Sequence, residues 1–227
     1  MDRNSYITDR LHDMTEEKKV GKFLDEYFYG RGCSNTNRND DDLELQYKGY
    51  DIAVTGRSGS EYVIDEKAAF KWRNLSTFAF EISSYNKMER LYEGWYLNSD
   101  NINDFYTLVW VNDDTGKAHK VNYDIDFSEV TSIDVTLVSK ESIHEYLASE
   151  GISDRMLWDK QTEIRKALDE KKDVNYKIGR FYMAYQADKW ERAINLKLPK
   201  KDLMKIGEFT AHYENNNGEW IMKIVHG

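Results

Sequence analysis

The chain of 227 residues contains a single cysteine, Cys33, and a single proline, Pro199. One cysteine excludes an internal disulfide and is typical of proteins from a reducing compartment. No apolar run approaches the length of a membrane span, and the first residues, MDRNSYITDRLHDM, are too charged for a signal peptide. We therefore expect a cytoplasmic protein without a membrane partner.

The composition predicts one folded unit with a negative surface. Hydrophobic residues make up 40% of the chain and aromatic residues 14%, which is enough for one substantial core. The formal net charge of -9 argues against a protein that coats nucleic acid nonspecifically, because phosphate binding requires concentrated Lys and Arg. A local basic groove is still compatible with this charge, since bases outnumber acids between Glu163 and Lys205. We expect a single domain over residues 1–227.

Helical and strand patterns alternate along the chain. An amphipathic helix is predicted first, with Thr15 as its N-cap and Gly30 and Gly32 at its end, followed by a polar loop and a β-hairpin around the segment GRSGS. Later elements are predicted as strands Leu75–Tyr85, Asp104–Asn112 and Ile133–Val138, helices Lys140–Ser149 and Ser153–Asp169, strands Phe181–Tyr185 and Ile194–Leu198, a helix Lys200–Ile206, and a hairpin around NNNG. This order predicts an α/β (α+β) fold with a mixed sheet and helices against it.

Two carboxylates and a lysine lie on the predicted hairpin. Asp51 opens its first strand, and Asp65 and Lys67 lie in its second strand. Residues two apart in a strand share a face, so Asp65 and Lys67 point the same way and Glu66 points the other way. Gly49 allows a tight turn of the backbone before Asp51. Such a group of side chains can hold a divalent metal and activate a water against a phosphodiester.

The acid-x-Lys spacing by itself predicts little. It occurs five times, beginning at Glu16, Glu17, Asp65, Asp169 and Glu170. The other four occurrences lie in helical patterns and are typical of solvent-exposed charge. Asp65 alone ends an apolar strand and follows an aspartate at the start of the preceding strand. An aspartate that enters a buried strand needs a partner, and either Lys67 or a metal would provide one.

The order of these residues resembles the PD-(D/E)XK nuclease superfamily. Asp51 is followed by Asp65-Glu66-Lys67 on the next strand, after a helix that carries the acidic pair Asp25-Glu26. The runs LQYKGYD, IDEKAAF, TFAFE, GWY and FYTLVWV further resemble bacterial and phage members of this superfamily. The resemblance covers Val20 to Val111. It implies a restriction-endonuclease-like mixed sheet flanked by helices over residues 1–138, with residues 139–227 as an α/β extension packed on it.

The resemblance also implies a metal centre. Asp51 and Asp65 would bind Mg²⁺, or Mn²⁺ as a substitute, with the backbone carbonyl of Glu66 as a third oxygen. Lys67 would orient or deprotonate the attacking water. A lysine beside two carboxylates stays protonated in the metal-free protein, so a role as base requires the metal to relieve that pairing, and orienting the water and stabilising developing charge is the preferred role.

Further acids and bases are candidates for the same site. Glu81 is a candidate metal ligand, and either Glu26 or its neighbour Asp25 would supply an acid from the first helix. A basic and aromatic set following Lys67 is suited to phosphate contacts and base stacking. Its members are Lys71, Trp72, Arg73, Lys87 and Arg90.

The resemblance implies a metal-dependent nuclease that hydrolyses DNA, with RNA as an open alternative and a homodimer as a common form of such enzymes. The alternative function is a nuclease-fold module without catalysis that binds nucleic acid or a protein. Other site classes are disfavoured, because the five histidines lack metal-ligand spacing and GRSGS lacks the ending of a phosphate-binding loop.

Overall fold

The first helix follows the predicted apolar stripe. The computed structural model describes residues 17–39, 42–86, 88–121, 125–167, 174–186 and 191–226. Helix α1 covers residues 17–32 and contains a π-helical segment, Leu24–Tyr29. Val20, Phe23, Leu24 and Phe28 are buried, as the periodicity predicts. The predicted cap, Thr15, lies outside the described residues.

Thirteen strands and four further helices follow α1 in the described chain. The strands are β1 Asn35–Arg38, β2 Ile52–Thr55, β3 Glu61–Arg73, β4 Thr77–Tyr85, β5 Leu91–Glu93, β6 Phe105–Asn112, β7 His119–Lys120, β8 Ser132–Ser139, β9 Val174–Ile178, β10 Phe181–Tyr185, β11 Ile194–Pro199, β12 Phe209–Asn216 and β13 Glu219–His226. The helices are α2 Leu43–Tyr47, α3 Lys140–Ser149, α4 Asp154–Ala167 and α5 Lys200–Ile206. The predicted hairpins and the α3, α4 and α5 helices are confirmed.

These strands form two sheets. The main sheet is mixed and has the order β1-β2-β3-β6-β8-β12-β13, with β7 paired to the end of β3. Strands β3 and β6 run parallel, and the other pairs are antiparallel. The second sheet is antiparallel throughout and has the order β5-β4-β11-β10-β9. The chain therefore has a mixed α and β architecture, as predicted.

Strand β6 lies between two hydrophobic cores. Its residues Tyr106, Leu108 and Trp110 pack with the second sheet and with α3, α4 and α5. Val109 and Val111 point to the opposite face and pack with α1, β8 and β12. A strand buried on both faces is nearly all apolar, which explains the continuous apolar run in its sequence.

Two polar elements differ from the sequence prediction. The loop expected after α1 contains strand β1, which pairs with β2 through its backbone while its side chains stay largely exposed. It also contains the short helix α2, where the Asp42 carboxylate accepts a hydrogen bond of 3.1 Å from Leu45 N as an N-cap. Neither segment has an apolar period that would mark it, because neither buries a continuous face.

The predicted division near residue 138 does not separate the sheets. Strand β12 pairs with β8 in the main sheet, and β11 pairs with β4 in the second sheet. Residues 139–227 therefore supply strands to both sheets and are not an extension packed on a finished core. No helix of the described chain combines the length and apolar character needed to cross a membrane.

Candidate functional site

Asp51 immediately precedes strand β2. Ile52, the first residue of β2, pairs with Ile64 of β3. Gly49 has a φ of 75°, so the backbone turns into β2 as expected for glycine. The Asp51 backbone N–H donates to the Ile64 carbonyl at 3.1 Å. The Asp51 side chain also binds β3, because its Oδ2 accepts a hydrogen bond of 2.8 Å from the Glu66 backbone N–H.

The Glu66 peptide therefore faces Asp51. In a β-strand the N–H and C=O of one residue point to the same edge. The carbonyl oxygen of Glu66 consequently lies on the edge of β3 where Asp51 binds. Among the described strands, none pairs with this edge between Asp65 and Lys71, so the edge is open.

Asp65 and Lys67 share one face of β3, as the alternation predicts. The Lys67 ammonium donates to Asp65 Oδ1 and lies 5.4 Å from the centroid of the Trp95 ring. Asp65 is only 1% exposed. Its second oxygen, Oδ2, is buried without a hydrogen-bond partner in the described chain. An ionised oxygen in that position is costly unless a cation or a donor reaches it.

Asp51, Asp65 and Lys67 lie close enough for their charges to act on one another, as the pKa shifts of Asp65 and Lys67 show. Burial raises the pKa of the Asp65 carboxyl to about 7, against the lowering effect of Lys67 and with a further raising effect of Asp51. Burial opposes the charge of Lys67, but the carboxylates of Asp65 and Asp51 outweigh it and raise the pKa of this ammonium. Lys67 is therefore protonated, which suits a donor to a phosphate or water better than a general base.

Glu66 belongs to a different network on the other face of β3. Arg38 of β1 donates to its two carboxylate oxygens at 2.7 and 3.1 Å, and to the two oxygens of Asp25 in α1 at 2.7 and 3.1 Å. Burial raises the pKa of Glu66, while the Arg38 guanidinium opposes this shift. Arg38 was missed by the sequence analysis, because β1 was expected to be a loop.

Two buried polar groups of the preceding loop and β6 lie behind Asp65. Tyr106 is the residue of β6 opposite Asp65. The Tyr106 hydroxyl and Asn103 Oδ1 are buried without a hydrogen-bond partner in the described chain, like Asp65 Oδ2. The Asp65 charge and, above all, burial raise the pKa of Tyr106, so its hydroxyl stays protonated. The sequence contains no signal for either residue, since their proximity depends on the β3–β6 register.

The site opens into a cleft of about 1000 Å³. Its walls come from α1, α2, β3, β4 and the segment around Trp95, and they include Asp51, Glu66 and Lys67. Asp25 and Arg38 also line it. Asp51 and Lys67 line this cleft, whereas Asp65, which pairs with Lys67, is buried and is absent from the described lining.

The structure distinguishes between the remaining acidic candidates. Asp25 lines the cleft and binds Arg38, whereas Glu26 is exposed and is absent from the described cleft lining. Glu81 lies on β4, which pairs with β5 and β11, and its Oε1 accepts from the Ser84 hydroxyl at 2.8 Å. Glu81 is likewise absent from the described cleft lining, and its place as a metal ligand stays a prediction.

The predicted nucleic-acid contacts separate in the same way. Trp72 lines the cleft and is 45% exposed, and Lys71 beside it is half-buried. Arg73 is 3% exposed and its guanidinium donates to the Phe70 carbonyl, so its side chain is turned to the protein interior. Arg90 is exposed in the turn between β4 and β5, away from the described cleft lining. Lys87 lies outside the described residues.

The donor set fits a hard divalent cation with few protein ligands. No group of three Asp, Glu, His or Cys side chains within the described ranges is arranged to hold a metal ion. Mg²⁺ is commonly bound by one or two carboxylates and retains several waters. Asp51, the unsatisfied Oδ2 of Asp65 and the Glu66 carbonyl match that requirement.

Comparison with known proteins adds no relative. No protein-family model matches the chain, and no significant match was found among curated proteins or solved structures.

Proposed function

We propose that the chain is a Mg²⁺-dependent nuclease that hydrolyses phosphodiester bonds of DNA, built on a restriction-endonuclease-like sheet. One observation carries this proposal: Asp51 binds the Glu66 N–H at the open edge of β3, Lys67 pairs with the buried Asp65, and both Asp51 and Lys67 line a large cleft. The antiparallel β2–β3 hairpin within a mixed sheet, preceded by α1, supports the proposed fold.

Asp51 and Asp65 would hold the metal, together with the Glu66 carbonyl and waters. When bound, Mg²⁺ supplies charge neutralisation at the scissile phosphate and lowers the pKa of a coordinated water. The chain's own contribution is positional. The Glu66 N–H fixes the Asp51 carboxylate, and the Lys67 ammonium fixes one oxygen of Asp65 while leaving the other unsatisfied.

Lys67 has a second task in this proposal. Its ammonium is held between the Asp65 carboxylate and the Trp95 ring, so few rotamers are open to it. A fixed, protonated lysine at the cleft wall can donate to a phosphate oxygen as negative charge develops there. It would act as an electrostatic donor and keep its proton throughout.

The test is cleavage of labelled DNA, single-stranded and duplex, in Mg²⁺, Mn²⁺ or chelator. We expect metal-dependent cleavage that Asp51→Asn, Asp65→Asn and Lys67→Met each reduce by at least about 100-fold. Matched controls are Asp114→Asn and Lys201→Met, which change exposed residues of the same types and should leave the rate unchanged. Circular dichroism of every variant confirms that it folds.

A binding module without catalysis is the second candidate. The observation that favours it is the Lys67–Asp65 ion pair, in which the ammonium compensates the charge of one carboxylate without a metal. Wild-type protein that binds DNA, shows no Mg²⁺ binding by calorimetry and cleaves nothing would establish this module and refute the nuclease.

A further inference from the structure

We propose that the cleft binds a single strand of nucleic acid, with bases stacked on Trp72 and Tyr47, and that an intact duplex is a poor ligand. This names the substrate class of the site and rests on the proposed function for the position of the reacting phosphate. The binding itself can be measured without cleavage.

Exposed aromatic rings flank the site on two walls. Trp72 on β3 is 45% exposed and Tyr47 at the end of α2 is 66% exposed, and both line the cleft that contains Asp51. Leu43, on the same short helix, is 51% exposed and lines it as well. Apolar surface gathered around one concave site typically marks a binding surface. Flat rings with an exposed face bind nucleobases by stacking.

Strand β3 is irregular where it carries Trp72. Between Ala68 and Arg73, β3 advances five residues while β6 advances two, from Val109 to Val111. Such bulges redirect side chains and are common beside functional sites. By contrast, Trp110 on the regular strand β6 is fully buried. Trp72 therefore lies within the irregular part of β3 and exposes its ring to the cleft.

The charges of the cleft are too balanced for a duplex site. Among the described residues, its lining contains five bases and four acids, a net of 5 - 4 = +1: Lys18, Lys22, Arg38, Lys67 and Lys197 against Glu17, Asp25, Asp51 and Glu66. Three of these bases already have partners. Arg38 binds Asp25 and Glu66, Lys67 binds Asp65, and Lys197 donates to Asn175.

Duplex binding relies on many phosphate contacts, and its affinity comes mainly from those charges. A protein with a net charge of -9 and a nearly neutral cleft lacks that source. Single-strand binding also uses phosphate contacts, but stacking on aromatic rings adds roughly 5- to 150-fold in affinity per base, and bases paired within a helix cannot gain it. The combination of open rings and balanced charge therefore fits a single strand.

Binding can be measured by fluorescence anisotropy of a labelled 12-nucleotide oligo(dT) in chelator, where no metal-dependent cleavage occurs. A hairpin duplex of 12 base pairs and unlabelled thymidine monophosphate serve as competitors. We expect the strand to bind at least about tenfold more tightly than either competitor. Trp72→Ala should weaken strand binding by roughly 5- to 150-fold, the range for loss of one stacked base, and Trp72→Phe should restore most of it.

Tyr47→Ala should act in the same direction, and Tyr182→Ala is its matched control. Tyr182 on β10 is 50% exposed but is absent from the described cleft lining, so its removal should leave the affinity unchanged. The inference is overturned if the duplex or the mononucleotide competes as well as the strand, or if Trp72→Ala binds like the wild type.

Failure of the inference and of the proposed function give different results. Metal-dependent cleavage of duplex DNA that is indifferent to Trp72→Ala would overturn the single-strand inference and leave the nuclease standing. Strand binding that requires Trp72, in a protein that cleaves nothing in Mg²⁺ or Mn²⁺, would support the inference and overturn the nuclease.

Discussion

The two faces of β3 hold buried carboxylates in different ways. On one face, both oxygens of Glu66 receive hydrogen bonds from the fork of Arg38, which also holds Asp25. On the other, Asp65 receives only the Lys67 ammonium, and its second oxygen has no partner in the described chain. A fully satisfied network stabilises a fold, whereas a buried carboxylate left half satisfied is costly. In the function we propose, the metal would supply the partner that Asp65 lacks in the described chain.

We expect the largest loss of stability when the network of Arg38, Glu66 and Asp25 is broken. Arg38→Met would leave two carboxylates, Glu66 and Asp25, without their shared cation, and one of them is largely buried. We expect the free energy of unfolding to fall by about 3–5 kcal/mol in urea denaturation, the usual result of removing one partner of a buried pair.

The matched control is Arg155→Met, because Arg155 pairs with Asp159 at an exposed site on α4. A pair of that kind is worth at most about 0.5 kcal/mol, so this variant should unfold like the wild type. Equal losses in the two variants would show that the Arg38 network is no stronger than surface charge.

On the face of β3 that carries Asp65, the expected effect is a dependence of the free energy of unfolding on pH. We expect the Asp65 carboxyl of the metal-free protein to titrate near pH 7 by ¹³C NMR. Its folded pKa is above its ordinary value near 3.8, so its contribution to the free energy of unfolding is complete below about pH 4 and is lost as the pH rises to about 7.

Two variants should shift the pKa of Asp65 in opposite directions. Asp51→Asn should lower the Asp65 pKa by removing a neighbouring negative charge, and Lys67→Met should raise it by removing the cation. A titration near the ordinary value in all three proteins would mean that Asp65 is solvated and that the two faces do not differ.

Two tyrosines offer a smaller comparison. The Tyr29 hydroxyl is hydrogen-bonded to the Thr107 hydroxyl at 2.8 Å, while that of Tyr106 has no partner in the described chain. Tyr29→Phe should cost about 1 kcal/mol of unfolding free energy, and Tyr106→Phe should be neutral or slightly stabilising. A larger loss for Tyr106→Phe in thermal and urea unfolding would show that its hydroxyl is already satisfied.

The smallest expected effect separates neighbouring acids of α1. Asp25→Asn weakens one side of the Arg38 fork at a partly exposed position, so we expect a loss of about 0.5–1 kcal/mol. Glu26→Gln should change the stability by less than that, since Glu26 is exposed. If the two variants are indistinguishable by urea denaturation, Asp25 adds nothing to the network.

Much of the fold was predictable because burial leaves a periodic trace. The stripe of α1 and the apolar run of β6 each follow from contact with a core, and the helices and closing hairpin were found in the same way. Strand β1 and helix α2 bury no continuous face, so they left no trace. The membership of β4 in a second sheet depends on long-range pairing that local patterns do not encode.

The residues of the site likewise fall into those that local sequence patterns predict and those that long-range strand pairing positions. Alternation along one strand was enough to place Asp65 and Lys67 together, and the turn at Gly49 placed Asp51 beside them. Partners from distant segments, such as Arg38 and Tyr106, were missed because strand register brings them there. The burial of Arg73 was not predicted, since a charged side chain is usually exposed and the irregular part of β3 beside it has no sequence signature.

The exchange of strands between the two halves of the chain governs how the molecule can be built. A fragment that ends at residue 138 would present β4 and β8 with long, unsatisfied backbone edges, which favour aggregation. During synthesis, neither sheet can be completed until β11 and β12 have emerged from the ribosome. A fragment that lacks β11 and β12 therefore cannot form either complete sheet, and both sheets are completed only when these two strands are present.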